Sequence, residues 1–169
     1  WSIPEDFQAR AEAFDAAQGR RAQVRLLSAL DLERQITSEG ATWLDRQLVG
    51  KDPPEANPQG FGGEVERALE RRRRVLLRQG HATRTLDGEW RAKPDLLRTL
   101  ERQEVAKVGA ALANEKNLPF RVPETGQPVK GRLADSIQLA SGKFAVIEGS
   151  YDFSLVPWRP ALERYRGQE

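Results

Sequence analysis

Residues 64–79 place apolar and basic side chains on opposite sides of a predicted helix. At about 100° per residue, Val65, Leu69 and Leu76 share one narrow arc, with Ala68 and Val75 at its edge. The helix can therefore pack into a core while presenting a row of guanidinium groups outward. That row has spacings of four, three and four residues and consists of Arg67, Arg71, Arg74 and Arg78.

A hairpin is predicted directly after this helix. Gly80 is a helix stop, and Leu86-Asp87-Gly88 separates two short predicted strands at 81–85 and 89–92. A helix, a glycine stop and a hairpin follow one another in this order in winged-helix proteins, where the helix enters the major groove and the hairpin contacts the neighbouring backbone. The cations expected on or beside this wing are Arg84, Arg91 and Lys93.

The charge of the chain is segregated rather than high. The net charge is only +2, yet residues 62–93 carry nine Lys/Arg against five Asp/Glu, whereas residues 1–61 carry seven against ten. This favours a local surface for a polyanion. The alternative is a solvated helix face on which Glu66 and Glu70 pair with neighbouring arginines. Arg72 lies in the apolar arc, where its guanidinium must reach solvent or find a partner.

The predicted fold class is α+β, in three regions. Residues 1–49 are helical, with segments at 4–18, 30–39 and 41–49 and Thr42 capping the last of them. Residues 60–116 form the winged-helix-like centre, which includes a long helix that Pro94 opens. Residues 129–169 alternate as strands do and predict a small antiparallel meander or barrel, with turns at 141–142 and 149–150 and a fourth strand near Val129.

Catalysis, metal binding and cofactor binding are not expected of this chain. It has no cysteine and one histidine, His81, so a zinc site of the usual nitrogen and sulfur type cannot be built. Its lack of cysteine fits a reducing, intracellular compartment. The carboxylates are scattered, and Gly60-Phe61-Gly62-Gly63 lacks the Lys-Ser/Thr of a phosphate-binding loop. Trp90 and Trp158 are candidates for stacking on nucleobases, whereas Trp43 and Phe144 are expected in the core.

Three motifs resemble signatures in the C-terminal region of one group of relaxases, the mobilization nucleases of conjugative elements. They are GATWLDRQL at 40–48, ASGKFA at 140–145 and LVPWRPALE at 155–163. The resemblance extends over nearly the whole chain, in a region treated as a domain of unknown function that follows the nuclease domain.

The resemblance implies a setting rather than a catalytic site. Relaxases nick one strand at a transfer origin through a tyrosine and a histidine-bound metal, and the type IV secretion apparatus exports them with the DNA. One histidine cannot supply that cluster, so the nicking domain is expected upstream of Trp1. The expected function is to help the parent relaxase hold duplex or single-stranded origin DNA in the bacterial cytoplasm, with no membrane partner. The alternative is a docking or translocation-signal module read by the secretion coupling protein.

Overall fold

The computed structural model describes residues 28–50, 61–123 and 127–165. The predicted helix at 4–18 lies outside these ranges. The elements are α1 (Leu32–Thr37), α2 (Trp43–Val49), α3 (Phe61–Arg78), β1 (Ala82–Arg84), β2 (Trp90–Ala92), α4 (Leu96–Lys116), β3 (Arg132–Leu139), β4 (Gly142–Glu148), β5 (Phe153–Pro157) and a 3₁₀ helix (Pro160–Tyr165). This is the α+β architecture that the sequence predicts, with helices first and an antiparallel sheet at the end.

Polar side chains cap the two short helices. Asp31 accepts a hydrogen bond from the backbone N–H of Arg34 at the start of α1. Thr42 caps α2 as predicted, and it forms a capping box in which Asp45 accepts in return from the Thr42 backbone N–H. Such caps satisfy N–H groups that have no partner within the helix, so both starts are encoded locally.

Helix α3 ends where the sequence predicts. Gly80 has a φ of 74°, and the N–H of His81 bonds to the carbonyl of Leu76, which is the hydrogen bond of a Schellman motif. The chain then turns directly into the β1–β2 hairpin, in which Ala82 pairs with Ala92. Helix and hairpin thus follow in the expected order, while the winged-helix description itself stays a prediction.

Helix α4 begins two residues later than expected, at Leu96. Asp95 has a left-handed conformation with a φ of 57°, so Pro94 stands before the helix rather than in its first turn. Aspartate tolerates this conformation better than most residues do, which the proline-based prediction did not take into account.

The strands form a three-stranded sheet in the order β3–β4–β5. Leu139 pairs with Gly142, so the turn is Ala140-Ser141, one residue before the predicted position. The predicted fourth strand near Val129 is wrong, because no strand is assigned there. Pro128 has no N–H to donate to a ladder. Instead, Phe120 forms a parallel bridge with Phe153 along the free edge of β5.

Three groups of buried residues hold the elements together, and α4 contributes to two of them. Leu96 and Leu100 pack with Leu76 of α3 beneath the hairpin. Further along α4, Val105 packs on the sheet against residues that include Phe153. The third group, at α1, α2 and α3, is Ile36, Leu44 and Ala68. No helix in the described ranges is long and apolar enough to cross a membrane.

Candidate nucleic-acid interface

The four arginines of the predicted row are all exposed on α3. Arg71 reaches across to α1 and pairs with Glu33, with an Nη1 to Oε1 distance of 2.5 Å. Within the described part of the chain, no ion pair engages Arg67, Arg74 or Arg78. Among the described residues, these three guanidiniums are therefore positive charges without a carboxylate partner. The alternative of a solvated helix face predicted that Glu66 and Glu70 pair with neighbouring arginines. Glu70 does form such a pair, with Arg73.

Arg72 fixes the rotation of α3, because all five of its N–H donors are used inside the protein. Its Nε and Nη2 bond to the two carboxylate oxygens of Asp45, each at 2.8 Å. Its remaining donors bond to the carbonyls of Ile36, Ser38 and Gly40. The side chains of Arg72 and Asp45 are both fully buried. Arg72 thus pairs rather than snorkels, and the arginines on the opposite side are held facing solvent.

Sequence reasoning did not find Asp45 as the partner. The same carboxylate also accepts from the backbone N–H and the hydroxyl of Thr42, which makes it both a helix cap and a counterion. The available signal was an acidic residue beside Leu44, in the part of α2 that faces the core. Such an aspartate requires a cation, because an unpaired buried charge is costly.

The hairpin tip is held by several hydrogen bonds around Thr85. The N–H groups of Gly88 and Glu89 bond to its carbonyl and hydroxyl, and its own N–H bonds to the Glu89 carbonyl. Gly88 adopts a φ of 81°, as the Asp-Gly signal requires. The predicted wing cations, Arg84, Arg91 and Lys93, are all exposed on or beside this hairpin.

The two tryptophans proposed for stacking are both half-buried. Trp90 packs against the residues beneath the hairpin, and its Nε1 is buried without a hydrogen bond in the described ranges. Trp158 has the ammonium of Lys143 over its ring, 3.9 Å from the centroid. Phe144 is buried as predicted, and Trp43 is half-buried against the α1–α3 core.

The three motifs at 40–48, 140–145 and 155–163 are joined through the β3–β4 turn. Ala41 donates its backbone N–H to the Ser141 hydroxyl at 2.9 Å, and Arg46 donates to the Ser141 carbonyl at 2.8 Å. From the third motif, Trp158 donates its backbone N–H to the Lys143 carbonyl at 2.9 Å. Segments about 100 residues apart in sequence are therefore joined into one connected region.

Glu104 of α4 supports this region, and sequence reasoning missed it. One of its carboxylate oxygens accepts from Ala140 N–H, and the other accepts from both the N–H and the hydroxyl of Ser141. A side chain on Gly40 would collide with the same carboxylate, since a Cβ there would lie 2.1 Å from it. No local pattern marks Glu104, because its partners lie in a distant turn.

The described part of the chain contains no group of three or more histidine, cysteine or acidic side chains placed to hold a metal. The candidate functional feature in this part of the chain is the set of exposed cations on α3 and on the β1–β2 hairpin. No curated protein and no solved structure matches the chain. One family model matches residues 1–169, and the chain therefore belongs to the family described as "Protein of unknown function (DUF3363)".

Proposed function

We propose that α3 and the β1–β2 hairpin form a DNA-binding surface. The observation that carries this proposal is the exposure of Arg67, Arg74 and Arg78 on one side of α3 without carboxylate partners in the described ranges. Guanidinium groups bind phosphates and guanine edges in paired hydrogen bonds, and they do so best when no internal carboxylate must be displaced.

The setting that we propose is a non-catalytic accessory module of a conjugative relaxase, acting on transfer-origin DNA in the bacterial cytoplasm. The support for this setting is the likeness of the three motifs, together with their hydrogen bonds at Ser141 and Lys143. The arginine row and the wing cations would position the module on the sugar–phosphate backbone. Arg71 would first have to exchange Glu33 for a phosphate, so it contributes less to binding than its neighbours.

Replacing Arg74 and Arg78 by alanine tests the proposal, because both are exposed and carry no ion pair in the described part of the chain. We expect the wild type to bind labelled duplex or single-stranded DNA with a micromolar or lower Kd at low salt. In the double variant, the slope of log K against log salt concentration should fall by about 1.4 to 1.8, because two phosphate contacts are lost. Fluorescence anisotropy at several salt concentrations measures both quantities.

The matched control is Arg98→Ala with Arg102→Ala, which removes the same charge from exposed positions four apart on α4. This variant should retain the wild-type slope if binding is localised to α3. Equal slopes for the two double variants, or no binding by the wild type at low salt, would refute the proposal.

A protein-docking function is the second candidate, and the tip of the hairpin favours it. Leu86 is fully exposed at the tip, with the carboxylates Asp87 and Glu89 beside it. An apolar anchor next to negative charge suits a protein surface better than phosphates. In the parent relaxase, Leu86→Ser should then reduce protein export through the secretion coupling protein without reducing origin nicking. Unchanged export would count against this function.

A further inference from the structure

An open apolar groove runs between α1 and α3. Its volume is about 880 Å³, and it is continuous with the core formed by Ile36, Leu44 and Ala68. The apolar residues that line it include Leu32, Trp43 and Phe61, and Phe61 is 64% exposed. The groove thus leaves large side chains in water that a further element would cover.

The groove is lined by helices, and its shape can accommodate a further helix. The residues that α3 contributes recur at helical spacing, as Phe61, Glu64, Ala68 and Arg71 do, so they form one side of that helix. The opposite wall is α1, and Trp43 of α2 also lines the groove. A groove between helices that exposes apolar side chains is a common receptor for the apolar side of a further helix.

The chain itself supplies a segment of matching pattern directly upstream. Ser28 and Leu30 line the groove, so the polypeptide that precedes them is tethered at its rim. In that polypeptide, Phe7, Ala11 and Phe14 recur at the spacing of one helical side. An isolated helix of about 15 residues has only marginal stability in water. Its apolar stripe therefore needs an apolar surface, such as this groove, to pack against.

The charges that line the groove are complementary to those that flank the apolar stripe formed by Phe7, Ala11 and Phe14. Arg67 and Arg71 lie on the α3 wall, while Asp31 and Glu33 lie on the α1 wall. In a helix, Asp15 falls on one flank of the Phe7–Phe14 stripe and Arg10 on the other. An orientation therefore exists in which each flank of the segment meets a wall of opposite charge.

We propose that residues 4–18 bind this groove in cis as an amphipathic helix, with Phe7 and Phe14 inserted between α1 and α3. The segment then adds a helix to the core that α1, α2 and α3 form. It lies next to Arg67 and Arg71, the first two residues of the arginine row. This inference goes beyond DNA binding, and its tests do not use DNA, although Arg67 and Arg71 of the arginine row also line the groove.

Crosslinking tests the proposal in the full chain, which has no cysteine and therefore needs no background substitution. Phe61→Cys is combined with Phe14→Cys, and a short bis-maleimide is added under native conditions. We expect a fast intrachain crosslink. The matched control combines Phe61→Cys with Ala16→Cys, which lies two residues further along but on the opposite side of the helix. Its yield should be several-fold lower.

The other outcomes overturn the proposal in distinct ways. Equal yields from Phe14→Cys and Ala16→Cys mean that the segment is only tethered near the groove. A crosslink that forms only between chains assigns the groove to the segment of a second copy. Denaturing gels followed by mass spectrometry distinguish these products.

A second experiment leaves the residues of the groove unchanged and measures amide hydrogen exchange in α1. Phe7→Asp with Phe14→Asp should speed amide hydrogen exchange in α1 several-fold, because it removes the cover from Leu32 and Ile36. The control, Ala9→Asp with Ala16→Asp, adds the same charge on the opposite side of the predicted helix and should leave α1 exchange near the wild-type rate. Identical α1 exchange in all three proteins would overturn the proposal, whatever the result of DNA titration.

Discussion

At the scale of single residues, Arg72 shows how a charge can be buried at low cost. Moving a guanidinium and a carboxylate out of water costs several kcal/mol for each ion unless every polar atom is satisfied. Here all five donors of Arg72 are satisfied, two of them by Asp45 in a bidentate pair. Because the carbonyl acceptors lie at the end of α1 and in the α1–α2 connection, this one side chain also fixes the path of that segment.

Arg72→Lys should destabilise the fold by about 3 kcal/mol, which is typical of disrupting a buried ion pair. A lysine has three donors at one nitrogen, so it cannot bond to both carboxylate oxygens and all three carbonyls. Chemical denaturation followed by circular dichroism measures the free energy of unfolding. Arg73→Lys is the control, because Arg73 is half-buried and pairs only with Glu70 at the surface; it should change stability by less than about 0.5 kcal/mol. A loss below about 1 kcal/mol for Arg72→Lys would contradict the role assigned to the fork geometry.

At the scale of elements, α4 lies close to the segment that borders β5, and a glycine makes this possible. Gly109 is buried, and a Cβ there would lie 2.4 Å from two ring carbons of Phe120. That ring packs against Phe153 with centroids 5.4 Å apart. The backbone on either side of Phe120 is bonded to Phe153, so the ring has little freedom to move away.

Gly109→Ala should therefore destabilise the protein by about 1 to 2 kcal/mol. Alanine gains about 1 kcal/mol in helix propensity over glycine, but the collision with a constrained ring costs more. Thermal unfolding followed by circular dichroism measures the difference. When Phe120→Leu is already present, Gly109→Ala should reduce stability by less than it does in the wild type. Stabilisation by Gly109→Ala alone would show that the ring moves freely.

At the scale of the whole molecule, α4 connects the helical part to the sheet through contacts along its whole length. Leu96 and Leu100 belong to the core under the hairpin, Glu104 binds the β3–β4 turn, and Val105 packs on the sheet. At the end of the helix, Lys116 bonds to Glu148 of β4 at 2.8 Å. This hydrogen bond raises the pKa of Lys116 and lowers the pKa of Glu148 below its ordinary value of 4.5.

The stabilisation from this pair should depend on pH in a defined direction. A carboxylate with a lowered pKa stabilises the fold fully above its ordinary value, and the effect is lost as pH falls through the lowered pKa. The raised pKa of Lys116 likewise adds stability that is lost only when pH rises above about 10.5. Glu148→Gln should thus cost about 0.5 kcal/mol at neutral pH, and this cost should shrink as pH falls below 4.5. Denaturation of both proteins across this range measures the difference, and Glu66→Gln on the exposed side of α3 is the control. A difference that does not shrink as pH falls below 4.5 would exclude the ion pair as its cause.

Local signals in the sequence were sufficient for most of the described elements, although not for the strand predicted near Val129. The caps at Thr42, the stop at Gly80 and the Asp-Gly turn at Gly88 act through hydrogen bonds and dihedral angles within a few residues, so they can be identified without tertiary information. The same holds for the exposed arginine row, because the periodicity of α3 alone separates it from the apolar arc. The start of α4 was misplaced where Asp95 adopts a left-handed conformation.

Tertiary structure decided which distant groups meet. The sequence required a partner for Arg72 but could not choose Asp45 from the chain's acidic residues, because that choice depends on how α1, α2 and α3 pack. The same holds for Glu104 at the β3–β4 turn and for Phe120 beside β5, whose partners are more than 30 residues away. The sequence alone thus determined the cationic side of α3, since helical periodicity is local. Only the packing determined that this side faces solvent, because the buried Arg72 pair sets the rotation of the helix.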